Sequence, residues 1–184
     1  SSDILRTIQE QVNPIHTALI IVDVQNDFVH PELGARAKGA NLWMDAPLYP
    51  RMVDRLGTLL EEARKSNCLI IFLQDIEDSQ YISDVYASHM QQSGSFGKLC
   101  QSGTYGADFY GDIRPTDSVK EITVTKHRYS GFSGTNLDLV LRSNNIRTVI
   151  VTGVVTSCCV ESTARDAFLN DYYTVTAGDA CADG

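Results

Sequence analysis

The stretch Gly153-Val-Val-Thr-Ser-Cys-Cys-Val-Glu-Ser-Thr-Ala-Arg-Asp-Ala167 follows a strand-like run, 148–152, and places two adjacent cysteines, Cys158 and Cys159, where a helix expected over 157–170 begins. A helix N-terminus presents N–H groups without intrahelical partners and a partial positive charge. Both favour thiolate over thiol, and the N–H groups can hold a developing oxyanion. A cysteine nucleophile further needs a group to take its proton and a cation to stabilise the charge that results. Asp23 stands at the end of one strand-like run and Lys126 directly after another. Taken singly, each has a plain structural role: Asp23 as a loop carboxylate or helix cap, Lys126 as a solvated charge, a cysteine as a small buried hydrophobe. A core needs none of the three at one sheet edge, so their joint placement points to chemistry.

The elements that must position these groups alternate along the chain. Residues 18–24 are apolar on consecutive positions, as strands covered on both faces are. A helix is predicted over 52–65, with Val53, Leu56, Leu59, Leu60 and Ala63 on one stripe. Further strands are predicted over 68–74, 121–125, 148–152 and 173–177, and further helices over 135–144, opened by Thr135 as N-cap, and 157–170. The intervening segment 75–113 is polar, aromatic and rich in Gly and Ser, with one helix near 79–91, and reads as an active-site or interface excursion. This order predicts an α/β fold, a three-layer α/β/α sandwich with a mostly parallel, Rossmann-like sheet. Ligands bind beyond the carboxyl ends of such strands. Asp23, Gln74, Asp75, Lys126 and the Cys158/Cys159 pair fall there.

Composition bounds the rest. With 184 residues, 43% of them hydrophobic, the chain can bury one sizeable core, so a single domain over 1–184 is expected. A formal net charge of -8 argues against a nucleic-acid partner, which needs a basic surface. The longest apolar runs, such as 18–22 and 68–73, are far shorter than the roughly 20 residues of a membrane span. No basic stretch leading into an apolar run marks the start of the sequence, and a cytoplasmic location is the expectation. The five cysteines lack the spacing of a disulfide framework, and Cys68 and Cys181 read as packing residues. His16, His30, His89 and His127 form no closely spaced ligand pair and there is no CxxC, so neither metal nor cofactor is expected.

Three motifs carry a resemblance to a known family: Ala18-Leu-Ile-Ile-Val-Asp-Val-Gln-Asn-Asp-Phe28, Lys126-His-Arg-Tyr-Ser-Gly-Phe132, and the 153–167 stretch quoted above. Together they resemble the isochorismatase-like cysteine hydrolase superfamily, which includes nicotinamidases, N-carbamoylsarcosine amidohydrolase, biuret hydrolase and ureidoacrylate amidohydrolase. The resemblance covers nearly the whole chain and implies a catalytic triad of Asp23, Lys126 and Cys159. It also implies a cis peptide between Val154 and Val155 and an oxyanion hole built from the N–H groups of Val155 and Cys159. Cys158 stands where the family does not usually carry cysteine. Neighbouring α-helical residues point about 100° apart, so Cys158 is expected to turn away and pack. Val155 stands where alanine is frequent, a mild narrowing of the pocket. Family members typically continue beyond the 178–184 region into another helix and strand, and a homo-oligomer, dimer or tetramer, is implied.

The same resemblance implies amide hydrolysis through a Cys159 thioester with ammonia release. The 74–81 segment has Asp75 but lacks the two histidines that usually complete the metal site of nicotinamidases, which points away from nicotinamide. An intact Cys159 points away from true isochorismatases, whose vinyl ether hydrolysis does not need it. Gln80-Tyr81 and Arg128-Tyr-Ser-Gly-Phe132 look most like ureidoacrylate amidohydrolase, then biuret hydrolase, so a small ureido or carbamoyl amide is the expected substrate. Phe28, Gln74, Tyr81, Tyr129 and Phe132 are the expected pocket wall. Two readings from other classes stand beside this one. The fold could serve an oligomeric binding protein without useful catalysis, or Cys158 and Cys159 could form a redox pair. The latter would strain a disulfide, since adjacent Cα atoms lie only about 3.8 Å apart.

Overall fold

A computed structural model describes residues 4–32 and 48–183. Its centre is a five-stranded sheet, all parallel, built from β1 (Thr17–Val22), β2 (Leu69–Asp75), β3 (Glu121–Lys126), β4 (Thr148–Val154) and β5 (Tyr173–Ala182), in the order β3-β2-β1-β4-β5. Every residue of β1 is buried because this strand lies mid-sheet with helices on both faces. Its alternation assigns the two cores. Ala18, Ile20 and Val22 pack with Leu69, Ile71 and Leu73 on one face; Leu19 and Ile21 pack with Ile70 and Phe72 on the other.

Among the described residues six α-helices flank or join the strands: α1 (Ile8–Gln11), α2 (Asn26–Val29), α3 (Leu48–Lys65), α4 (Asp84–Ser93), α5 (Leu137–Ser143) and α6 (Glu161–Leu169). Leu137 and Leu141 of α5 and Ala167 of α6 close the first core, while Met52, Leu56 and Leu60 of α3 close the second. The layers are those expected of the sequence. Their local limits differ in several places. The strand expected over 173–177 continues to Ala182 as β5, and the helix expected over 52–65 starts at Leu48. The helix expected near 79–91 is a short 3-10 turn, Ser79–Tyr81, followed by α4, because Ile82 is extended and Ser83 caps a new start by accepting from Tyr86 N. The helix expected from 135 starts at Leu137 with Asn136 as cap residue, although Thr135 Oγ1 still accepts the Leu137 N–H. The helix expected over 157–170 begins as a π turn, Thr156–Val160, before becoming α6.

The excursion between β2 and β3 is tied to the sheet by the run Gln25-Asn26-Asp27. Gln25 is fully buried and uses both ends of its amide: Oε1 accepts from Asp75 N, and Nε2 donates to the carbonyls of Asp75 and Ala107. Asn26 Nδ2 donates to Tyr105 O, and Asp27 Oδ2 accepts from Cys100 N at 2.7 Å. Buried polar groups of this kind are stable only when so satisfied, and here they hold residues 99–110 against the carboxyl end of β1. Gly153 meets a different demand: its φ is +102°, and a Cβ there would lie 2.2 Å from the Val22 carbonyl oxygen. Only glycine allows β4 to leave the sheet this close to β1.

Candidate active site

Strand register brings the strand-end residues together. Val22 pairs with Leu73 on one side and Gly153 on the other, and Asp75 pairs with Lys126. Asp23 follows β1 with a positive φ of 52°, which turns the chain sharply away from the strand direction. Asp75 and Lys126 end their strands on the face shared with Leu73 and Val124, toward α5 and α6. Neighbouring strands are about 4.8 Å apart, so a group on β3 must cross β2 to reach β1. The four-carbon stem of lysine does this.

Lys126 is fully buried, and its Nζ lies 2.8 Å from Asp23 Oδ2, 3.2 Å from Asp75 Oδ1, 3.0 Å from the Arg128 carbonyl oxygen and 3.7 Å from Cys159 Sγ. One ammonium therefore bridges two carboxylates and the thiol. Burial pulls the Lys126 ammonium toward release of its proton, but Asp23 and Asp75 outweigh this and hold it charged, well above the usual lysine value. Asp23 is raised well above the usual carboxylate range, chiefly by burial, with Lys126 pulling it back and Cys159 and Asp75 pushing it up. Its Oδ1 is buried without a hydrogen-bond partner. The Cys159 thiol is pushed up first by its hydrogen bond with Cys158 and then by burial, against the pull of Lys126. Both effects favour the protonated thiol at Cys159 over the thiolate.

The peptide bond between Val154 and Val155 is cis, and the π turn follows directly. Within it, Cys158 N and Val160 N both donate to the Val155 carbonyl oxygen, at 3.1 and 3.2 Å. The turn is wider than an α-helical one, so Cys158 does not rotate away as expected. Both cysteines line the same cavity, and the Cys158 thiol is held below its usual value, first by the hydrogen bond with Cys159. Cys158 is a wall residue rather than core filler. Among the described residues all five cysteines are free.

The cavity has a volume of about 410 Å³, within the usual range for small-molecule sites. Of the expected wall residues, Phe28 and Tyr129 line it, as does Val155. Gln74, Tyr81 and Phe132 do not. Gln74 follows Phe72 onto the opposite face of β2 and donates to Ala107 O; Tyr81 stacks on His127 at 3.6 Å between ring centroids; Phe132 packs in the core against Tyr172. The wall that replaces them comes from Glu77 and from Tyr86, His89, Met90 and Ser93 of α4. Those four sit at i, i+3, i+4 and i+7, a helical stripe legible in the sequence, but its partner was not. Glu77 is two residues beyond Asp75, a same-face spacing that could have marked it. Burial first, and then the neighbouring Asp75, push the Glu77 carboxyl up to about 8. Tyr129, hydrogen-bonded to His89 at 2.6 Å, is raised to about 12, first by burial.

Among the described residues no group of three or more His, Cys, Asp and Glu side chains is arranged to hold a metal ion, and no helix is long and apolar enough to cross a membrane. Asp75, the residue shared with the nicotinamidase metal pattern, spends its carboxylate on Lys126 and Glu77.

A parallel α/β sandwich with a thiol, a lysine and a carboxylate converging at its strand ends defines a cysteine hydrolase architecture. The isochorismatase domain matches residues 17–184, and the chain belongs to that family. It is 32% identical to ureidoacrylate amidohydrolase RutB of Klebsiella pneumoniae subsp. pneumoniae over 179 residues, covering 91% of this chain and 73% of that protein. Among solved structures it is similar to N-carbamoylsarcosine amidase from Thermoplasma acidophilum, with TM-score 0.73, 29% identity, and 91% and 84% of the two chains covered. A cysteine hydrolase from Pseudomonas syringae pv. phaseolicola aligns with TM-score 0.77 and 27% identity over 100% of this chain and 78% of its own.

Proposed function

We propose that this protein is a cysteine amidohydrolase that cleaves the C–N bond of a small ureido or carbamoyl amide through a thioester on Cys159. The observation that carries the reading is the position of Lys126 Nζ, 2.8 Å from Asp23 and 3.7 Å from Cys159 Sγ, beside a cavity of small-molecule size. The relatives named above, an amidohydrolase and an amidase, support the same reaction class.

The roles follow from the environment of each group. Asp23 takes the Cys159 proton, for which its raised affinity suits it, while Lys126 remains charged and stabilises the thiolate. The thiolate attacks the amide carbonyl carbon. Charge develops on the carbonyl oxygen, where the N–H groups of Val155 and Cys159 serve as donors; such donors contribute roughly 3 to 4 kcal/mol each where measured. Asp23 returns the proton to the leaving nitrogen, and ammonia or an amine departs as the tetrahedral species collapses to a thioester. A water then gives a proton to Asp23 and attacks the thioester. Collapse of that intermediate returns the proton to sulfur and frees the acid.

The test is ammonia release from ureidoacrylate, biuret, N-carbamoylsarcosine, maleamate and nicotinamide, combined with Cys159→Ala. Turnover of a ureido or carbamoyl member is expected, with loss of at least a thousandfold in the variant while its thermal unfolding stays cooperative. A protein that hydrolyses no member would instead be a binding protein on this fold, and a Cys159→Ala enzyme that kept appreciable activity would remove the nucleophile assignment.

A further inference from the structure

The π turn that carries both cysteines begins without a cap of its own. Its cap position, Val155, has an extended backbone and a hydrocarbon side chain that makes no cap hydrogen bond. The first N–H groups of a helical segment have no partner within it. A carboxylate from another element supplies one. Val154 pairs with Ala182 at the ends of β4 and β5, so Val155 and Asp183 leave the sheet side by side. Between the pairs Val151–Thr176 and Gly153–Cys181 the register shifts, and β5 spends more residues than β4. That irregularity sets which residue of β5 arrives at the turn. Asp183 Oδ2 accepts from Ser157 N at 2.7 Å, and its Oδ1 accepts from Ser157 Oγ at 3.0 Å.

We propose that Asp183 is a positioning residue for the nucleophile: its carboxylate clamps Ser157 and thereby fixes the turn from which Cys159 meets Lys126. The inference rests on the amidohydrolase reading and deepens it. Two bonds from one carboxylate to one residue fix orientation as well as distance, and both are charge-assisted. A negative group is also favoured at the start of a helical segment. Within the turn, the bonds from Cys158 N and Val160 N to the Val155 carbonyl oxygen do not involve Ser157, which is held by Asp183 instead. Ser157 directly precedes Cys158 and Cys159, so its movement passes to both thiols and to the Cys159 N–H. The spacing at stake is the 3.7 Å between Cys159 Sγ and Lys126 Nζ. A misplacement of about 1 Å at a reacting group can cost on the order of a hundredfold in rate. Release of the clamp therefore falls on kcat, while the wall built by Phe28, Tyr129 and α4 keeps its hold on the substrate.

The experiment compares wild type, Asp183→Ala and Asp183→Asn by steady-state kinetics on the best-hydrolysed member of the panel above, and by hydrogen-exchange mass spectrometry of peptides spanning 155–160. Asparagine keeps an acceptor for the Ser157 N–H without the charge. Asp183→Ala is expected to lower kcat about thirtyfold or more with KM within about threefold, and to speed exchange in the turn about tenfold. Asp183→Asn should recover most of kcat and of the protection. A kcat for Asp183→Ala within threefold of wild type would overturn the proposal. So would a rise in KM with kcat retained, because Asp183 lines the cavity and would then be a substrate contact. An asparagine variant as impaired as the alanine one would assign the effect to charge and overturn the clamp. Unchanged exchange in Asp183→Ala overturns the clamp whether or not any substrate is turned over. Faster exchange with a silent panel supports the clamp and overturns the amidohydrolase reading instead.

Discussion

Lys126→Met isolates what the buried ammonium contributes. The substitution preserves the length of the stem and leaves Asp23 and Asp75, 1% and 5% exposed, without their shared cation. At the effective dielectric of about 20 that suits such sites, charges 2.8 and 3.2 Å apart attract by ~6 and ~5 kcal/mol. Desolvation of the ions offsets most of this. The measurable quantity is the cost of leaving a buried charge unpaired, about 3 to 5 kcal/mol. For a chain of this size that corresponds to a fall in Tm of roughly 6 to 20 °C. The deficit should grow from pH 5 to pH 8, because without Lys126 the buried Asp23 becomes neutral most readily in acid, where protonation relieves the unpaired charge. The double variant Asp23→Asn with Lys126→Met removes opposite charges together and should regain at least half of the lost Tm. Hydrolysis should stay at least a hundredfold down in both, since proton acceptor and thiolate partner are not restored by stability. Differential scanning calorimetry at two pH values and an ammonia assay read all of this. A Tm within 2 °C of wild type for Lys126→Met, or a double variant no more stable than the single, would refute the description of this cluster as carboxylates held in the interior by one shared ammonium.

Cys158→Ala should keep activity within tenfold of wild type, because Cys159 Sγ is the thiol placed 3.7 Å from Lys126 Nζ; a loss matching that of Cys159→Ala would show that the nucleophile had been assigned to the wrong thiol. Glu77 has an ordinary value of 4.5 raised to about 8, so the folded state holds its proton more tightly than the unfolded chain and this group's contribution to stability falls as pH rises from about 4.5 to 8. Glu77→Gln lacks that slope, and its Tm relative to wild type should improve between pH 5 and pH 9; a relative Tm that falls over this range would contradict the raised value. Gly153→Ala would push a Cβ to 2.2 Å from the Val22 carbonyl oxygen at φ +102°, and should cost about 3 kcal/mol or more, read as a Tm fall of 6 °C or greater in thermal unfolding. An unchanged Tm would mean that β4 can leave the sheet without the close approach to β1.

The strand ends were legible because their signals are local. Consecutive apolar residues marked β1 and β2 as doubly covered strands, and a polar residue directly after such a run can only stand at the sheet edge, which placed Asp23, Asp75 and Lys126. The cysteine motif added a thiol at the next edge. Gln74 and Asp75 face opposite sides of β2, as adjacent strand residues do, but nothing in the strand itself told which side held the cavity. That depended on where α4 packs. Tyr86, His89, Met90 and Ser93 form a helical stripe whatever they face, and only the folded excursion, pinned by Gln25, Asn26 and Asp27, turns the stripe toward Cys159.

Tertiary structure also decided what the neighbours of each group are, and thereby its protonation. The Glu77 carboxyl reads in the sequence as an ordinary acidic loop residue, yet burial beside Asp75 raises it to about 8 and makes it part of the cavity wall. Cys158 reads as a helix residue turned away from its neighbour, yet the π turn sets both thiols in one wall. The sequence by itself determined the fold class and the three groups that meet at Lys126, because hydrophobic period and strand-end position are properties of neighbouring residues. The pocket wall and its charge were decided only by packing, because contacts between residues far apart in the chain have no local signature.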